Sequence, residues 1–405
     1  MIPTYSDRGV VITGCGVVNA ITNSFAAFGG AMQQGRTGLK PIHSFVTDGL
    51  RNPNACEADS FDADAVRLSR NERRMDRSSA LVLAAFDEAM AMAGLDPASV
   101  DPLRGAVISG STLGGAQSGM RYYKGQKLGH RRPATMRDYS LHSPGYRLCI
   151  ETGFKGPNIV YSTACTSSNL ALATAMDLIR SNRADVVLVS GFDPMSEVSA
   201  AGFSVMRNVS PDLCRPFDKA RQGLVLGEGS ALMVVEAADF AAKRGAAPLA
   251  QLRGYGLRSD AHHMTAPDVT AAGPMAAMMA AITMAGAQPE QVDFICAHGT
   301  GTIHNDGIEA KALHGVLGPR AADVACTSIK SMVGHTLGAA GTMNLAAILA
   351  SAKAGIIPPT VNFETPDPAH PLACAATPRD GRPRLALSNT LGFGGSNCSM
   401  LVELA

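Results

Sequence analysis

Tryptophan is absent from the 405 residues, and aromatic side chains make up only 5% of them. No sign of charge dominates: 35 Lys and Arg meet 34 Asp and Glu, a net of +1. That balance excludes a whole-chain field that would recruit nucleic acid or an anionic membrane, so a charge-guided partner must meet a local patch. The nine cysteines, at 15, 56, 149, 165, 214, 296, 326, 374 and 398, are odd in number and include no C-x-x-C pair. Neither a disulfide framework nor a zinc-ligand spacing is visible, and reduced thiols are expected. The opening MIPTYSDRG lacks an apolar signal core, which points to the cytoplasm. An uncharged stretch from Val269 to Pro289 has roughly the length of a membrane span, but Pro274 and its many alanines make it an Ala-rich helix of a globular protein.

What the chain does have is 46% apolar residues and 42 glycines, enough for one large core or two fused ones with many tight turns. Apolar runs entering Gly-rich or polar turns and then Ala-rich helices form an α/β alternation. It occurs twice. VVITGCGVV (10–18), GAVISGSTLGG (105–115), NIVYSTACTSS (158–168), ADVVLVSGFD (184–193) and SALMVVEA (230–237) are answered, in order, by five segments of the second half. Those are LAQLRGYGL (249–257), VDFICAHGTGT (292–302), DVACTSIKSMVGHT (323–336), RLALSNTLGFGG (384–395) and CSMLVELA (398–405). A duplicated α/β unit is expected, with halves 1–245 and 246–405. Residues 116–147 and 193–225 fit the repeat poorly and read as insertions, which in compact folds are usually functional.

Cys165 falls between the strand-like run before Ser162 and the helical pattern after Ser168. A thiol there would feel the positive end of a helix dipole, which favours thiolate and lowers its pKa. On position alone, a nucleophile and a buried thiol packed under the helix are equally supported. Two histidines, His298 in CAHGTGT and His335 in SIKSMVGHT, follow strands and sit in Gly-containing turns, with Lys330 beside the second. If the halves are duplicates, these groups share one end of the sheet with Cys165, where open α/β sheets carry their sites. Imidazole N–H groups could stabilise an enolate or oxyanion, and a nearby ammonium could fix their protonation. Asp, Glu or Cys partners at ligand spacing are not evident, so no metal is expected.

Together, TACTSS around Cys165, HGTGT around His298, KSMVGHT-x-GAAG from Lys330 and GFGGSN (392–397) resemble, in order and spacing, the type II β-ketoacyl-acyl-carrier-protein synthases. The resemblance implies a thiolase-like fold of duplicated halves in five αβαβα layers. It implies an acyltransferase in fatty-acid or polyketide/polyene elongation, with Cys165 accepting an acyl group and a malonyl-carrier protein then decarboxylating and condensing with it. His298 and His335 would hold the malonyl thioester carbonyl, with Lys330 in support. The N–H groups of Cys165 and Phe393 would form an oxyanion hole, Phe393 a gate flanked by Gly392 and Gly394. Thr300 and Thr302 would bind the pantetheine arm, Leu113 would border the acyl pocket, and Asp306 and Glu309 would be structural. No cofactor is implied beyond the 4'-phosphopantetheine that the acyl carrier protein brings.

Arg67, Arg70, Arg74 and Arg77 recur at helical spacing, which predicts one basic stripe with Arg73 beside it. A solvated helix face would account for it; the resemblance instead implies carrier-protein docking at Arg73, Arg74, Arg131, Arg132 and Arg215. Partnership with an identical or related chain in a homodimer or heterodimer is also implied, with no nucleic acid or membrane. Asn344 stands where the family often carries Glu, leaving Lys330 without a carboxylate. DYSLHSPGYR (138–147) departs from the housekeeping pattern, and both changes favour a specialised chain such as a polyene. The competing reading is a non-catalytic or partner-dependent chain-length subunit of a heterodimeric ketosynthase. A thiolase would need a second catalytic Cys, and Cys398 lies beyond GFGGSN rather than at such a position.

Overall fold

The computed structural model describes residues 8–130 and 132–405. Its large sheet has ten strands. In chain order they are β1 (Val10–Asn19), β2 (Gly105–Gly110), β3 (Asn158–Tyr161), β4 (Val186–Asp193), β5 (Gly229–Ala237), β6 (Ala250–Ser259), β7 (Phe294–Cys296), β8 (Ala325–Thr327), β9 (Leu385–Gly392) and β10 (Ser396–Leu404). Spatially they run β3-β2-β4-β5-β1-β6-β10-β9-β7-β8. The five strands of one half therefore repeat, outward from the β1/β6 seam, the order of the other. Directions repeat as well: the inner pairs β1/β5, β5/β4, β6/β10 and β10/β9 are antiparallel, and the outer pairs β4/β2, β2/β3, β9/β7 and β7/β8 are parallel.

Side-chain alternation along these strands makes the layers. In β4 and β5, Val187, Val189, Met233 and Val235 face a core shared with Met400 and Val402 of β10 and with the helices Phe25–Gln33, Ser167–Arg180 and Ala340–Ala354. Val186, Leu188, Leu232 and Val234, the alternate residues, pack instead against the helix Arg77–Ala93. On the opposite half Leu387 and Leu401 pack with the helices Ala272–Met284 and Ile303–Leu317. The halves join at the β1/β6 seam through the pairs Val11–Gln251 and Ile12–Ala250, and the two five-stranded halves of the sheet share the central-helix core. Five layers result, helices outside, half-sheet, helices within, half-sheet, helices outside, and the Ala-rich uncharged stretch is an outer helix.

The two central helices start beside one another. Ser168 Oγ accepts the Gly341 and Thr342 N–H groups at 3.0 and 3.1 Å, filling the acceptor role that the second helix's own N-cap leaves empty. Their closeness requires small residues. A Cβ on Gly191 of β4 would lie 2.2 Å from Thr342 Oγ1 and 2.7 Å from Ser168 Cβ.

The basic stripe does not form. A helix ends at Ser69, Asn71 turns the chain with φ 52°, and Asp76 caps the next helix by accepting from the Ser78 N–H. Three of the arginines are drawn into separate ion pairs: Arg67 with Asp64, Arg70 with Asp87 and Glu151, Arg77 with buried Glu228. The i, i+3, i+4 spacing was right, but left-handed Asn71 and the Asp76 cap interrupt the helix that would have aligned it.

Gly191→Ala should drive the central helices apart and destabilise the protein by about 1–3 kcal/mol, the usual cost of overpacking. Gly30→Ala, in an exposed helical turn with nothing within 4 Å of the added Cβ, should stabilise it by about 0.5–1 kcal/mol. Denaturant titration of the two variants checks both signs.

Candidate active site

Strand β3 delivers Cys165 through a tight turn held by the hydroxyls that follow it. Ser167 Oγ accepts the Thr163 N–H at 2.9 Å and donates to the Ala164 carbonyl at 2.6 Å, and Thr166 Oγ1 donates to the Thr163 carbonyl at 2.7 Å. They hold Ala164 at φ 52°, a left-handed conformation a non-glycine residue adopts at a cost of about 1–3 kcal/mol. That bend puts Cys165 immediately before the central helix, with the sulfur in reach of the backbone N–H groups of Cys165 and Phe393.

His298 follows β7 on a loop shaped by two buried carboxylates. Glu309 accepts the His298 and Gly299 N–H groups, each at 2.8 Å, and Asp306 accepts those of Thr300 and Gly301. Burial raises the Glu309 pKa to about 7. His335 is anchored through its backbone: its N–H donates to Val225 O at 2.7 Å, and its carbonyl accepts from Gly227 N at 2.9 Å. The sequence segment 215–229 thus serves as the bracket behind His335.

The side chains converge. Cys165 Sγ lies 3.0 Å from His335 Nε2, the imidazoles of His298 and His335 meet edge to face at 5.2 Å, and a ring nitrogen of each histidine and the sulfur all fall within 4.8 Å of one another. His335 Nδ1 accepts the Leu337 N–H at 3.2 Å, so the proton of the neutral ring sits on Nε2, facing the sulfur. Burial, with Lys330 close by, holds both histidines well below their ordinary pKa, in the neutral form. Lys330 itself is only 2% exposed. Its Nζ has no hydrogen-bond partner among the described residues, and burial lowers its pKa.

The position of Cys165 at a helix start predicts a depressed thiol pKa. Burial pushes it up to about 12 instead, against the opposing pull of Lys330 and the two backbone N–H groups. Desolvation of a thiolate outweighs a helix end when no cation touches the sulfur.

A cavity of about 90 Å³ opens onto these groups, lined also by Thr300, Thr302, Gly392 and Phe393. Thr300 and Thr302 join hydroxyls at 2.9 Å, and Gly394 and Gly395, at φ 87° and 74°, turn the Phe393 loop over the cavity. Phe203 also lines it and stacks on Phe393 with ring centres 5.8 Å apart, a residue no motif pointed to, although the insertion that carries it was legible. Leu113 lies outside this cavity, in the wall of a neighbouring pocket with Tyr122, Tyr123 and Tyr139. Arg73, Arg74 and Arg132 are exposed, whereas Arg215 is partly buried with Asp212 at 3.4 Å; Arg131 lies outside the described residues. Cys398 is buried in β10.

Residues 7–241 match the family described as beta-ketoacyl synthase, N-terminal domain, and residues 249–364 its C-terminal domain. The tetracenomycin polyketide synthase ketoacyl synthase alpha subunit of Streptomyces glaucescens is 37% identical over 409 residues, covering 96% of this chain and 96% of that one. Among solved structures, the ishigamide ketosynthase/chain length factor superposes with a TM-score of 0.91 at 31% identity, over 98% of this chain and 99% of that one. AntDE:AntF, a type II polyketide acyl-carrier protein in complex with its hexaketide-bound ketosynthase, gives 0.88 at 25%, over 98% and 99%.

With a thiol pKa of about 12, alkylation of Cys165 by iodoacetamide should rise roughly ten-fold per pH unit from 7 to 9.5. Peptide mass mapping separates this site from the other cysteines; a plateau below pH 8 would mean that burial is not the controlling influence.

Proposed function

The chain belongs to the β-ketoacyl synthase family, and from that premise we propose that it lengthens a carrier-bound acyl chain by decarboxylative Claisen condensation. In the first half-reaction the Cys165 sulfur attacks the thioester carbonyl of an acyl carrier protein. The N–H groups of Cys165 and Phe393 stabilise the tetrahedral oxyanion, and the carrier thiol leaves with the cysteine proton. A malonyl-carrier protein then binds with its thioester oxygen against His335 Nε2–H and an N–H of His298. The C–C bond to the carboxylate breaks, carbon dioxide departs, and its electron pair becomes an enolate. The enolate carbon attacks the acyl-Cys165 carbonyl, and collapse expels the Cys165 sulfur as a thiolate, which takes a proton from solvent, and releases the β-ketoacyl product.

The observation that carries this reading is the Leu337 N–H on His335 Nδ1, because it aims a proton rather than a lone pair at the reacting centre. Two neutral donors suit a decarboxylation, which needs charge stabilised more than a proton removed. Lys330 supports them by keeping both rings neutral, and Cys165, His298 and His335 together argue against a non-catalytic chain-length subunit.

Thr300 and Thr302, on the cavity wall, would bind the pantetheine arm of the carrier, and Phe393 with flanking Gly392 and Gly394 would gate it. Leu113 would border the acyl chain from the adjoining tyrosine-lined pocket. Exposed Arg73, Arg74 and Arg132 supply a cationic approach for an acidic carrier protein, with Arg215 secondary because Asp212 competes for it. Strand β3 ends the sheet with one edge open, and a second chain, identical or a related ketosynthase subunit, would pair there. None of the helices among the described residues is long and apolar enough to cross a membrane, and cytoplasmic action with a free carrier fits that.

Intact-mass measurement after incubation with a panel of acyl-carrier proteins, followed by malonyl-carrier protein, tests the scheme. Wild type should acylate and form product, and Cys165→Ala should do neither. His298→Ala should still acylate yet lose condensation by about 10²–10³-fold, the usual effect of removing one oxyanion donor. An acyl label that survives Cys165→Ala would refute the assignment.

A further inference from the structure

Beneath the two histidine loops, Asn344 sits 1% exposed in the central helix Ala340–Ala354. Its amide nitrogen donates to the Ala297 carbonyl at 3.3 Å and to the Asn389 carbonyl at 3.1 Å. Ala297 immediately precedes His298, and Asn389 lies in β9, the strand that ends at Gly392 beside Phe393. Two acceptors on one nitrogen fix which way the amide points. The Asn389 side chain extends the connection, donating to Glu309 Oε1 at 3.3 Å, and Glu309 in turn holds the His298 N–H. Asn344 Oδ1 has no partner among the described residues, so only the donor half of the amide is engaged.

We infer that Asn344 is a positioning residue for the second half-reaction: its two N–H bonds set the His298 loop against the Phe393 strand, so that the malonyl enolate and the acyl thioester are held in one geometry. This rests on the ketosynthase reading. Its chemical content is that a donor is required, since two carbonyl oxygens face the side chain. A carboxylate, isosteric with the amide, would set lone pairs against lone pairs. Acyl transfer to Cys165 does not use His298: Cys165 is positioned by its own turn and by His335, which is anchored to Val225 and Gly227, and the strand that carries the Phe393 N–H is held by its own pairing with β10 and β7.

The test compares Asn344→Asp and Asn344→Ala with wild type at pH 8, reading acylation of Cys165 and β-ketoacyl formation separately, with thermal melting to establish folding. Acylation rates should stay within about two-fold in both variants, while condensation falls roughly ten-fold in Asn344→Ala and further in Asn344→Asp, misplaced reacting groups being costly. A residue that merely fills space would give the opposite order, Asp near wild type and Ala worst, and that order overturns the inference. So does a parallel loss of both half-reactions in Asn344→Ala, which is the deciding variant if Asn344→Asp fails to fold. A wild-type chain that neither acylates nor condenses overturns the ketosynthase reading, and this inference with it.

Discussion

One buried carboxylate ties the site together. Asp193, fully buried at the end of β4, accepts hydrogen bonds from Ser111 Oγ at 2.7 Å, Leu113 N at 2.7 Å, the Thr112 N–H and hydroxyl, and, from the other half of the chain, Gly338 N at 2.6 Å. A carboxylate in that position would be prohibitively costly without such donors. Its demand for hydrogen bonds shapes three segments at once: the Leu113 loop, the end of β4, and the short 3-10 turn Leu337–Ala339 just after His335. Burial raises the Asp193 pKa, and the bonds from Thr112, Ser111 and Leu113 oppose the rise.

Around that tie the duplicated fold explains why chemistry occurs where it does. In each half the parallel outer strands send their C-terminal ends to the same side, and each central helix begins there. Cys165 comes from the turn before one helix, and His335 from the turn shortly before the other. His298 and the Phe393 loop come from the ends of β7 and β9. Four segments distant in sequence therefore meet at one point because two copies of one unit are packed face to face around shared helices.

The electrostatics of the point are those of a dry pocket. Cys165, His298, His335 and Lys330 are all buried, and burial alone favours the neutral form of each. Neutral imidazoles are useful as donors to a developing enolate, and a protonated resting thiol is protected from adventitious alkylation and oxidation until a thioester arrives. Glu309 and Asp306 hold the HGTGT loop through backbone N–H groups and not through the histidine rings, so they shape the loop without drawing a proton from the site.

The positions of the strands along the chain, the duplication and the candidate groups at Cys165, His298, Lys330 and His335 were legible in the sequence, because strand and helix periodicities are local and Gly- and hydroxyl-rich turns mark where strands end. The arginine stripe misled, because spacing alone does not reveal that Asn71 turns left-handed and that Asp76 opens a new helix. The thiol pKa misled for a related reason: the helix end was visible in the sequence, but the degree of burial was not. Phe203 against Phe393, Asn344 between Ala297 and Asn389, and the tautomer of His335 are contacts between segments far apart in the chain. By itself, then, the sequence determined which elements form and which chemical groups end them. Tertiary structure alone decided how deeply those groups are buried and which way their hydrogen bonds point, because solvation and hydrogen-bond direction depend on neighbours that only folding brings into contact.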